Sequence, residues 1–224
     1  MPGGSPLPCA AVVLTGKLIT IEGVDGAGKS TLAAALLEAL TQRGVEARLM
    51  REPGGVQTSE RVRELVKDPA LQVGARAEAL LYAAARAQLV EEALLPALKA
   101  GEWILLDRFV DSSLAYQGAG RGLGIEAVAR LNEFATGHLS PHRTLLLMLD
   151  ADTARRRAGG RGDAPDRLEQ EGAGFFARVR QGYLELAERE PERIRMIDAS
   201  APPEEVLRQA LEQLADLLPQ RAPW

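Results

Sequence analysis

The sequence of 224 residues contains one cysteine, Cys9, and no apolar run that approaches the roughly 20 residues needed to cross a bilayer. One cysteine cannot form an internal disulfide, so the composition favours a reducing compartment and predicts a cytoplasmic protein. The missing apolar run predicts that the chain has no membrane partner. The formal net charge of −4 argues against broad nucleic-acid binding, which requires a basic surface.

Aromatic residues make up only 4% of the chain, so each aromatic residue near a candidate site is informative. Lysine is also scarce and occurs only at Lys17, Lys29, Lys67 and Lys99. The other basic residues are arginines, whose planar forks suit phosphate groups. Because a GC-rich genome would produce the same bias, the positions of the arginines carry more information than their number.

The first 16 residues contain three prolines and lack the basic start of a secretory signal peptide. We expect residues 1–16 to form a disordered leader. The remaining length suits one domain, and the sequence shows no internal repeat. Residues 17–224 are therefore predicted to form a single domain.

Short apolar runs alternate with helical patterns along this domain. The predicted strands are Leu18–Glu22, Glu46–Arg51, Trp103–Asp107, Thr144–Asp150 and Ile194–Asp198. The predicted helices are Ser30–Arg43, Glu60–Lys67, Ala75–Lys99, Asp111–Gln117, Ile125–Thr136, Gly174–Glu190 and Pro203–Leu218. Strands that are apolar throughout and separated by helices predict a three-layer α/β/α fold with a parallel five-stranded sheet. The glycine-rich segment 118–124 is predicted to be a flexible connection.

The stretch EGVDGAGKST, residues 22–31, fits the pattern G-x-x-x-x-G-K-[ST] and lies between a predicted strand and a predicted helix. Glycines let the backbone bend around an anion, and the helix N-terminus adds partial positive charge. Lys29 can reach the β- and γ-phosphates of a nucleotide, and the Ser30 hydroxyl can ligate Mg²⁺. The predicted ATP-binding residues are Gly23, Val24, Asp25, Gly26, Ala27, Gly28, Lys29, Ser30 and Thr31.

The remaining residues separate a kinase from other P-loop proteins. A guanine-nucleotide switch needs an N-K-x-D motif, but the only asparagine, Asn132, is followed by Glu133. A kinase needs an acceptor site, and ligands of parallel sheets bind at the carboxyl ends of the strands. Asp107 ends one predicted strand and can orient Mg²⁺ or its waters. Arg108 beside it and Arg51 at the end of another strand can form a bidentate anion site.

A polar, arginine-rich segment, about residues 151–167, follows the fourth predicted strand. Arginines in such a segment can close over the phosphates, neutralise charge on the transferring group and exclude water. We therefore predict an arginine-containing lid in this segment.

Several motifs together resemble the thymidylate kinase family. They are EGVDGAGKST (22–31), REPGG (51–55), LLYAAARAQLV (80–90), DRFVDSSLAYQG (107–118), LLLMLD (145–150) and DRLEQE (166–171). REPGG and the D-R-x-x-x-S-S-x-A-Y-Q-G pattern are more specific than the P-loop. The resemblance implies a P-loop kinase that phosphorylates dTMP to dTDP with ATP and Mg²⁺, and a homodimer. The apolar faces of the Ala75–Lys99 and Ile125–Thr136 helices are candidates for the dimer contact, and packing within the monomer core explains each face equally well.

The resemblance also implies roles for the acceptor-site residues. Arg51 and Arg108 would bind the dTMP phosphate, and Asp25 would lie near the metal or the sugar 3′-hydroxyl. Tyr116 would pack against C2′ and disfavour ribose. The base pocket and its surroundings would be formed by Glu52, Tyr82, Arg86, Ser113 and Gln117. Tyr82 would stack on the thymine ring, where the family usually has phenylalanine, and Arg86 would donate to a thymine oxygen.

The remaining implied roles concern catalysis and the metal. Ser30 and Asp107 would hold Mg²⁺. The resemblance to the bacterial type, which supplies its catalytic arginine from the lid, makes Arg157 and Arg161 the best candidates, although the lid spacing differs from the bacterial pattern. The implied catalytic residues are Asp25, Lys29, Arg108, Arg157 and Arg161.

Three other functions remain open at this stage. A deoxynucleoside kinase would phosphorylate a 5′-hydroxyl, for which Glu52 is a candidate base. The paired arginines Arg51 and Arg108 argue against this alternative, because a neutral nucleoside would leave them without a phosphate to bind. The second alternative is another nucleoside monophosphate kinase. The third is a P-loop adaptor that binds ATP without turnover.

Overall fold

The computed structural model describes residues 14–159 and 166–219. Five strands form one parallel sheet in the order β2-β3-β1-β4-β5. The strands are β1 Leu18–Glu22, β2 Ala47–Arg51, β3 Trp103–Asp107, β4 Arg143–Met148 and β5 Ile194–Asp198. The predicted parallel sheet of five strands is confirmed. β4 ends before Asp150, because the Asp150 carboxylate accepts a 2.9 Å hydrogen bond from the Thr153 amide and caps the following helix.

Helices connect the strands and cover both faces of the sheet. They are α1 Lys29–Thr41, α2 Gln57–Lys67, α3 Ala75–Leu89, α4 Leu95–Lys99, α5 Val110–Ser113, α6 Ile125–Thr136, α7 Ala151–Gly159, α8 Ala173–Arg189 and α9 Pro203–Gln213. Two π-helical segments, Val90–Leu94 and Leu114–Gly120, continue α3 and α5. Within these described residues no helix is long and apolar enough to cross a membrane.

Several differences from the sequence prediction concern helices. Helix α2 begins at Gln57 instead of Glu60, and α9 ends at Gln213 instead of Leu218. The single helix predicted from Ala75 to Lys99 contains a π-helical turn. Residues 118–120 of the predicted flexible connection belong to the second π-helical segment. The first part of the predicted lid forms helix α7. Residues 160–165 of that lid, like residues 1–13 of the predicted leader, lie outside the described residues.

Alternating strand residues form one core on one face of the sheet and two on the other. On one face, Ile19 and Leu105 pack against α1 and α9. On the other face, Leu18 and Ile104 pack against the segment that runs from α3 to α4, and Leu146 packs against α8 and the Leu114–Gly120 segment. Because successive residues of a strand point to opposite faces, strands buried on both sides are apolar at nearly every position. The three-layer α/β/α prediction is confirmed.

The register of the sheet brings polar residues together at one edge. In the β2–β3 ladder Arg51 lies opposite Asp107, and in the β1–β3 ladder Ile21 lies opposite Asp107. The three strands therefore end side by side, with Glu22, Arg51 and Asp107 at their carboxyl ends. This is the edge at which parallel sheets bind ligands.

Close backbone packing holds the Leu114–Gly120 segment against α8. A Cβ atom added to Gly182 of α8 would lie 2.8 Å from the Ala119 Cβ and 3.2 Å from the Ala115 Cα. No side chain fits at this crossing without moving one of the two helical segments. The contact matters for the site, because the same segment carries Tyr116 and Gln117.

Gly182→Ala should therefore destabilise the protein by about 1–3 kcal/mol, since overpacked cores cost energy of this order. Gly174→Ala is the matched control in the same helix, because its Cβ would meet only the Arg178 Nη1 at 3.7 Å. The control should be neutral or stabilise by up to about 1 kcal/mol, as glycine disfavours helix interiors. Urea denaturation of both variants measures the difference, and equal unfolding free energies would contradict the packing argument.

Candidate phosphate and nucleotide site

The P-loop turns from β1 into α1 with glycines at positions that need them. Gly23 has a φ of 133°, and a Cβ at this position would lie 2.6 Å from the Leu147 carbonyl oxygen. Gly28 has a φ of 93° and immediately precedes Lys29, the first residue of α1. The loop therefore leaves backbone N–H groups at the start of a 13-residue helix, where the helix dipole favours an anion.

Lys29 lies at the inner side of this loop. Its Nζ donates a 3.1 Å hydrogen bond to the Val24 carbonyl oxygen and lies 3.7 Å from the Asp25 carboxylate. Burial lowers the pKa of Lys29 to about 8; the nearby Arg108 cation also lowers it, while Asp25 and Asp107 oppose the shift. Lys29 is thus a cation at neutral pH that has little solvent to stabilise it, and a phosphate group would do so.

Ser30 and Asp107 come together as the sequence predicts for a metal site. The Ser30 hydroxyl donates to Asp107 Oδ2 at 3.4 Å. The other carboxylate oxygen, Asp107 Oδ1, is buried and accepts no hydrogen bond from the described residues. A hard cation prefers oxygen ligands, so an unsatisfied carboxylate oxygen beside a hydroxyl fits Mg²⁺ that also binds nucleotide phosphates. No group of three or more histidine, cysteine or acidic residues forms a complete metal site within residues 14–159 and 166–219.

Arg108 connects the P-loop to the end of β3. It has a φ of 71°, which is unusual for a residue with a side chain. Its Nη1 donates to the Gly23 carbonyl oxygen at 2.9 Å and to the Ser112 hydroxyl at 3.1 Å. Its Nη2 donates to Asp25 at 2.9 Å, and the guanidinium carbon lies 5.2 Å from the centre of the Tyr116 ring.

Glu22 supports this arrangement, although no motif in the sequence indicates a role for it. Its carboxylate is fully buried and accepts hydrogen bonds from the Phe109 amide at 2.7 Å, from the Ser112 hydroxyl and from the Tyr183 hydroxyl at 3.0 Å. Burial raises the pKa of Glu22 to about 7, and the negative charge of Asp111 adds to the effect, while hydrogen bonds and Arg108 oppose it. Glu22 thereby fixes the turn after Arg108.

Arg51 and Glu52 lie at the end of β2, but their environments differ. Arg51 forms an ion pair with Glu60 at 3.2 Å, and its side chain is 57% exposed. Glu52 is buried and forms an ion pair with Arg86, in which Oε1 and Nε are 2.7 Å apart. Burial raises the pKa of Glu52, and Arg86 opposes the shift. Arg51 can therefore turn towards a ligand, whereas Glu52 holds the arginine beside it.

Arg86 lies at the inner end of the candidate base pocket. Besides its ion pair with Glu52, it donates to Ser113 at 3.0 Å, to Asn132, and to the Phe109 carbonyl oxygen at 3.0 Å. Nη1 thus donates both of its hydrogens and Nη2 donates one, so the second Nη2 hydrogen remains for a ligand oxygen. Nε faces Glu52 in the ion pair without forming a hydrogen bond. Asn132 was considered in the sequence only as evidence against a guanine-nucleotide switch.

Two clefts meet along the P-loop. The first, of about 200 Å³, contains the predicted acceptor residues and is lined by Asp25, Lys29, Ser30, Arg51, Glu52, Tyr82, Arg86, Asp107, Arg108, Ser113, Tyr116 and Gln117, among others. The second, of about 350 Å³, is lined by Gly26, Ala27, Gly28, Lys29, Ser30, Thr31 and Arg157, among others. Lys29 and Ser30 line both clefts, so two anions bound in them would be neighbours.

Of the two candidate lid arginines, only Arg157 lies within the described residues. Arg157 of α7 donates to the Ala199 carbonyl oxygen at 2.9 Å and lines the cleft beside the P-loop. Arg161 lies outside the described residues. The chain resumes at Asp166, which forms an ion pair with Lys67 of α2 at 2.9 Å and also lines the first cleft.

The pKa of Lys29 predicts how the P-loop binds a triphosphate. Protonated Lys29 attracts phosphate, and in the free protein this form is lost as the pH rises through about 8. If the bound phosphates keep Lys29 protonated, affinity for ATP should fall roughly 20-fold between pH 7.5 and pH 9.5. Calorimetric titration measures this change, with adenosine as the control ligand whose affinity should stay constant. An ATP affinity that does not change with pH would contradict the contact between Lys29 and the phosphates.

Comparisons with known proteins identify the family of this chain. The thymidylate kinase family model matches residues 21–210. The chain is 49% identical over 201 residues to a thymidylate kinase from Alkalilimnicola ehrlichii, covering 89% of this chain and 93% of that protein. It is 50% identical over 191 residues to one from Deinococcus radiodurans, covering 85% and 92%. The crystal structure of thymidylate kinase from Ehrlichia chaffeensis has a TM-score of 0.71 at 29% identity, covering 89% of this chain and 98% of that chain. The chain therefore belongs to the thymidylate kinase family.

Proposed function

We propose that this enzyme transfers the γ-phosphoryl group of ATP directly to the phosphate of dTMP and forms dTDP. The observation that carries the proposal is the position of Arg108, which contacts the P-loop at Gly23 and lines the adjacent acceptor cleft. A donor phosphate on the loop and an acceptor phosphate beside Arg108 would lie next to each other. Membership of the thymidylate kinase family supports this acceptor and does not favour a deoxynucleoside kinase.

The acceptor needs no general base in this reaction. The second pKa of a phosphate monoester is about 6, so dTMP is already a nucleophile at neutral pH. Catalysis then consists of positioning and charge neutralisation around an in-line transfer. Glu52 was the candidate general base for a deoxynucleoside kinase. Its ion pair with Arg86 suits the present reaction, because the carboxylate then supports the thymine pocket and need not accept a proton.

On the donor side, the proposal assigns the triphosphate to the loop from Gly23 to Thr31. The amides at the start of α1 bind the phosphates, and Lys29 contacts the β- and γ-phosphates. Ser30 and Asp107 would hold Mg²⁺, which supplies positive charge to the phosphates when bound. Arg157, which lines the donor cleft, and Arg161 of the lid would neutralise the transferring group. For Arg161 the proposal rests on the family resemblance alone.

On the acceptor side, Arg51 and Arg108 bind the dTMP phosphate. Asp25, already paired with Arg108 at 2.9 Å, would lie near the metal or the sugar 3′-hydroxyl. Tyr116 is 5% exposed and its ring packs edge to face with Phe175 and Tyr183 at centroid distances of 6.1 and 6.3 Å. A ring held so firmly cannot move aside for a 2′-hydroxyl, which supports its proposed role in excluding ribose.

The base would bind between Tyr82 and the residues Arg86, Ser113 and Gln117, all of which line the same cleft. Tyr82 lies one helical turn before Arg86 on α3, so both side chains face the same way. Burial raises the pKa of Tyr82, and the charge of Glu78 adds to this effect. The tyrosine therefore stacks as a neutral ring.

Two measurements test the proposal: the preference among acceptor substrates and the effect of replacing Arg51 on KM. With Mg-ATP and a coupled assay of ADP release, dTMP should be the best substrate among dTMP, thymidine, dUMP, dCMP and GMP. In the same assay Arg51→Ala should raise KM for dTMP roughly 10- to 100-fold and leave KM for ATP nearly unchanged, because it removes a charge-assisted hydrogen bond to the acceptor only.

Arg48→Ala is the matched control for Arg51→Ala. Arg48 lies on the same strand, is 53% exposed and forms an ion pair with Glu102 at 2.7 Å. Its replacement should leave both KM values unchanged. Phosphorylation of thymidine in preference to dTMP would support a deoxynucleoside kinase, and binding of ATP without turnover of any acceptor would support an adaptor.

We also propose that the enzyme acts in the cytoplasm as a homodimer whose interface includes α3 and α6. Among the described residues, the two most exposed large apolar side chains are Phe134 of α6 and Leu80 of α3, at 89% and 57%. The two helices pack against each other, so these exposed side chains lie on neighbouring helices. Exposed apolar side chains of this size on neighbouring helices favour association.

Phe134→Glu should therefore convert the dimer into a monomer, because the interface would have to bury an unpaired charge. Sedimentation velocity measures the oligomeric state. Met196→Glu on β5 is the control, since Met196 is 56% exposed and its strand packs against β4, α8 and α9 rather than against α3 or α6. A wild-type monomer, or dissociation by Met196→Glu but not by Phe134→Glu, would contradict the proposed interface.

A further inference from the structure

Glu78 is a buried acidic residue to which neither the sequence motifs nor the proposed mechanism assigns a role. It lies on α3 one turn before Tyr82 and two turns before Arg86, on the helix face that borders the base pocket. Its side chain is fully buried, which for a carboxylate requires strong partners. It has three of them: Arg121, Arg167 and Gln117.

The partners divide between the two carboxylate oxygens. Arg121 Nη2 donates to Oε2 at 3.0 Å, and Arg167 Nη2 lies 2.6 Å from the same oxygen. Oε1 accepts from Gln117 Nε2 at 2.9 Å and from Arg121 Nε at 3.2 Å. Burial alone would raise the pKa of Glu78, but the hydrogen bonds from Arg121 and Gln117, together with the close contact of Arg167, outweigh it and hold the pKa below its ordinary value. Glu78 is therefore ionised at neutral pH.

An ionised carboxylate can only accept hydrogen bonds. The amide group of Gln117 must consequently turn its NH₂ towards Glu78, and its carbonyl oxygen Oε1 points away. Within the described part of the chain Oε1 has no hydrogen-bond partner, and Gln117 lines the acceptor cleft together with Tyr82, Arg86 and Ser113. The pocket thus gains a fixed acceptor at Gln117 and a free donor at Arg86.

Thymine and uracil match a pocket of this kind. Both carry a donor at N3–H next to an acceptor at O4, whereas cytosine carries an acceptor at N3 and a donor at N4. A pocket in which Gln117 can only accept would therefore favour thymine and uracil. With cytosine, the Gln117 oxygen and the N3 atom of the base would be two acceptors facing each other. Mismatched polar groups of this kind discriminate more strongly than a missing methyl group.

We propose that Glu78 is a positioning residue that selects bases with an N3–H group by fixing the orientation of the Gln117 amide. This inference rests on the proposed phosphorylation of dTMP and adds a residue that does not touch the substrate. It separates the contribution of Gln117 from that of Glu78: Gln117 contacts the base, and Glu78 decides which end of the amide does so.

The substitution Glu78→Gln tests the proposal, because the two arginines dictate its outcome. Two arginine donors, Arg121 Nη2 and Arg167 Nη2, face Oε2, whereas only Arg121 Nε faces Oε1 at the longer distance of 3.2 Å, so the new carbonyl oxygen would take the position of Oε2. The new NH₂ group would then face Gln117, whose amide would have to reverse and present its own NH₂ to the base. We expect the ratio of kcat/KM for dUMP over dCMP to fall about 10-fold, with both substrates lacking the 5-methyl group.

Two further variants separate amide orientation from general damage to the pocket. The reciprocal exchange Glu78→Gln with Gln117→Glu again places an acceptor towards the base, so the dUMP/dCMP ratio should return to within about 3-fold of the wild type. Arg121→Lys keeps Glu78 ionised and bonded to Gln117, and it should change the ratio less than 2-fold. Far-ultraviolet circular dichroism checks that each variant is folded.

The outcomes distinguish this inference from the proposed function. Suppose that the wild type phosphorylates dTMP. An unchanged dUMP/dCMP ratio in Glu78→Gln, or a fall in Arg121→Lys as large as the fall in Glu78→Gln, would then overturn the role of Glu78 and leave the proposed function standing. A wild type that does not phosphorylate dTMP would overturn the proposed function. If Glu78→Gln does not fold, two other variants replace it. The reciprocal exchange should keep the dUMP/dCMP ratio of kcat/KM, and Gln117→Leu should lower it. A lowered ratio in the exchange together with an unchanged ratio in Gln117→Leu would overturn the proposal.

Discussion

The structure of the site depends on the hydrogen bonds of one guanidinium group. Arg108 joins the carbonyl oxygen of Gly23, the carboxylate of Asp25 and the hydroxyl of Ser112, so it fixes the P-loop relative to the end of β3. Its backbone adopts a φ of 71°, a conformation that costs energy for any residue with a side chain. The buried carboxylate of Glu22 opposes this cost, because it accepts the amide hydrogen of Phe109 and thereby holds the turn.

The two sides of the reaction are connected through this arrangement. The donor phosphates and the acceptor phosphate both carry negative charge, so bringing them together requires positive charge that is fixed in advance. Lys29 is a buried cation and Arg108 a half-buried one beside the same loop, and the lowered pKa of Lys29 reflects the cost of burying a cation next to another. In the family to which this chain belongs, binding of the nucleotides would relieve that cost, because each phosphate replaces the missing solvent.

Much of the fold could be predicted from the sequence, because the three central strands β1, β3 and β4 are mostly apolar, although the edge strands β2 and β5 contain arginines. The P-loop residues were equally predictable, since Gly23 and Gly28 adopt backbone conformations that only glycine adopts readily. The helix after β4 was not predicted, because its polar, arginine-rich sequence has no apolar periodicity, and its start depends on the Asp150 cap. The π-helical segments leave no distinct pattern in a sequence.

The supporting residues of the site were the part that sequence reasoning missed. Glu22 was visible at a strand end, but its bond to Phe109, 87 positions away, depends on the parallel register of β1 and β3. Glu78 and Asn132 look like ordinary helix residues, and only the packing of α3 with α6 and with the Leu114–Gly120 segment brings them to the base pocket. Contacts over such separations have no local signature, whereas a buried charge is conspicuous once the fold is known.

The central claim is that two phosphate groups meet in one crevice, one on the P-loop and one between Arg51 and Arg108. A crystal structure of the protein with dTMP and a non-hydrolysable ATP analogue tests it most directly. The account predicts that the dTMP phosphate lies within hydrogen-bond distance of both arginines while the triphosphate lies against residues 23–31. A nucleotide bound elsewhere, with Arg51 and Arg108 directed away from its phosphate, would contradict the account.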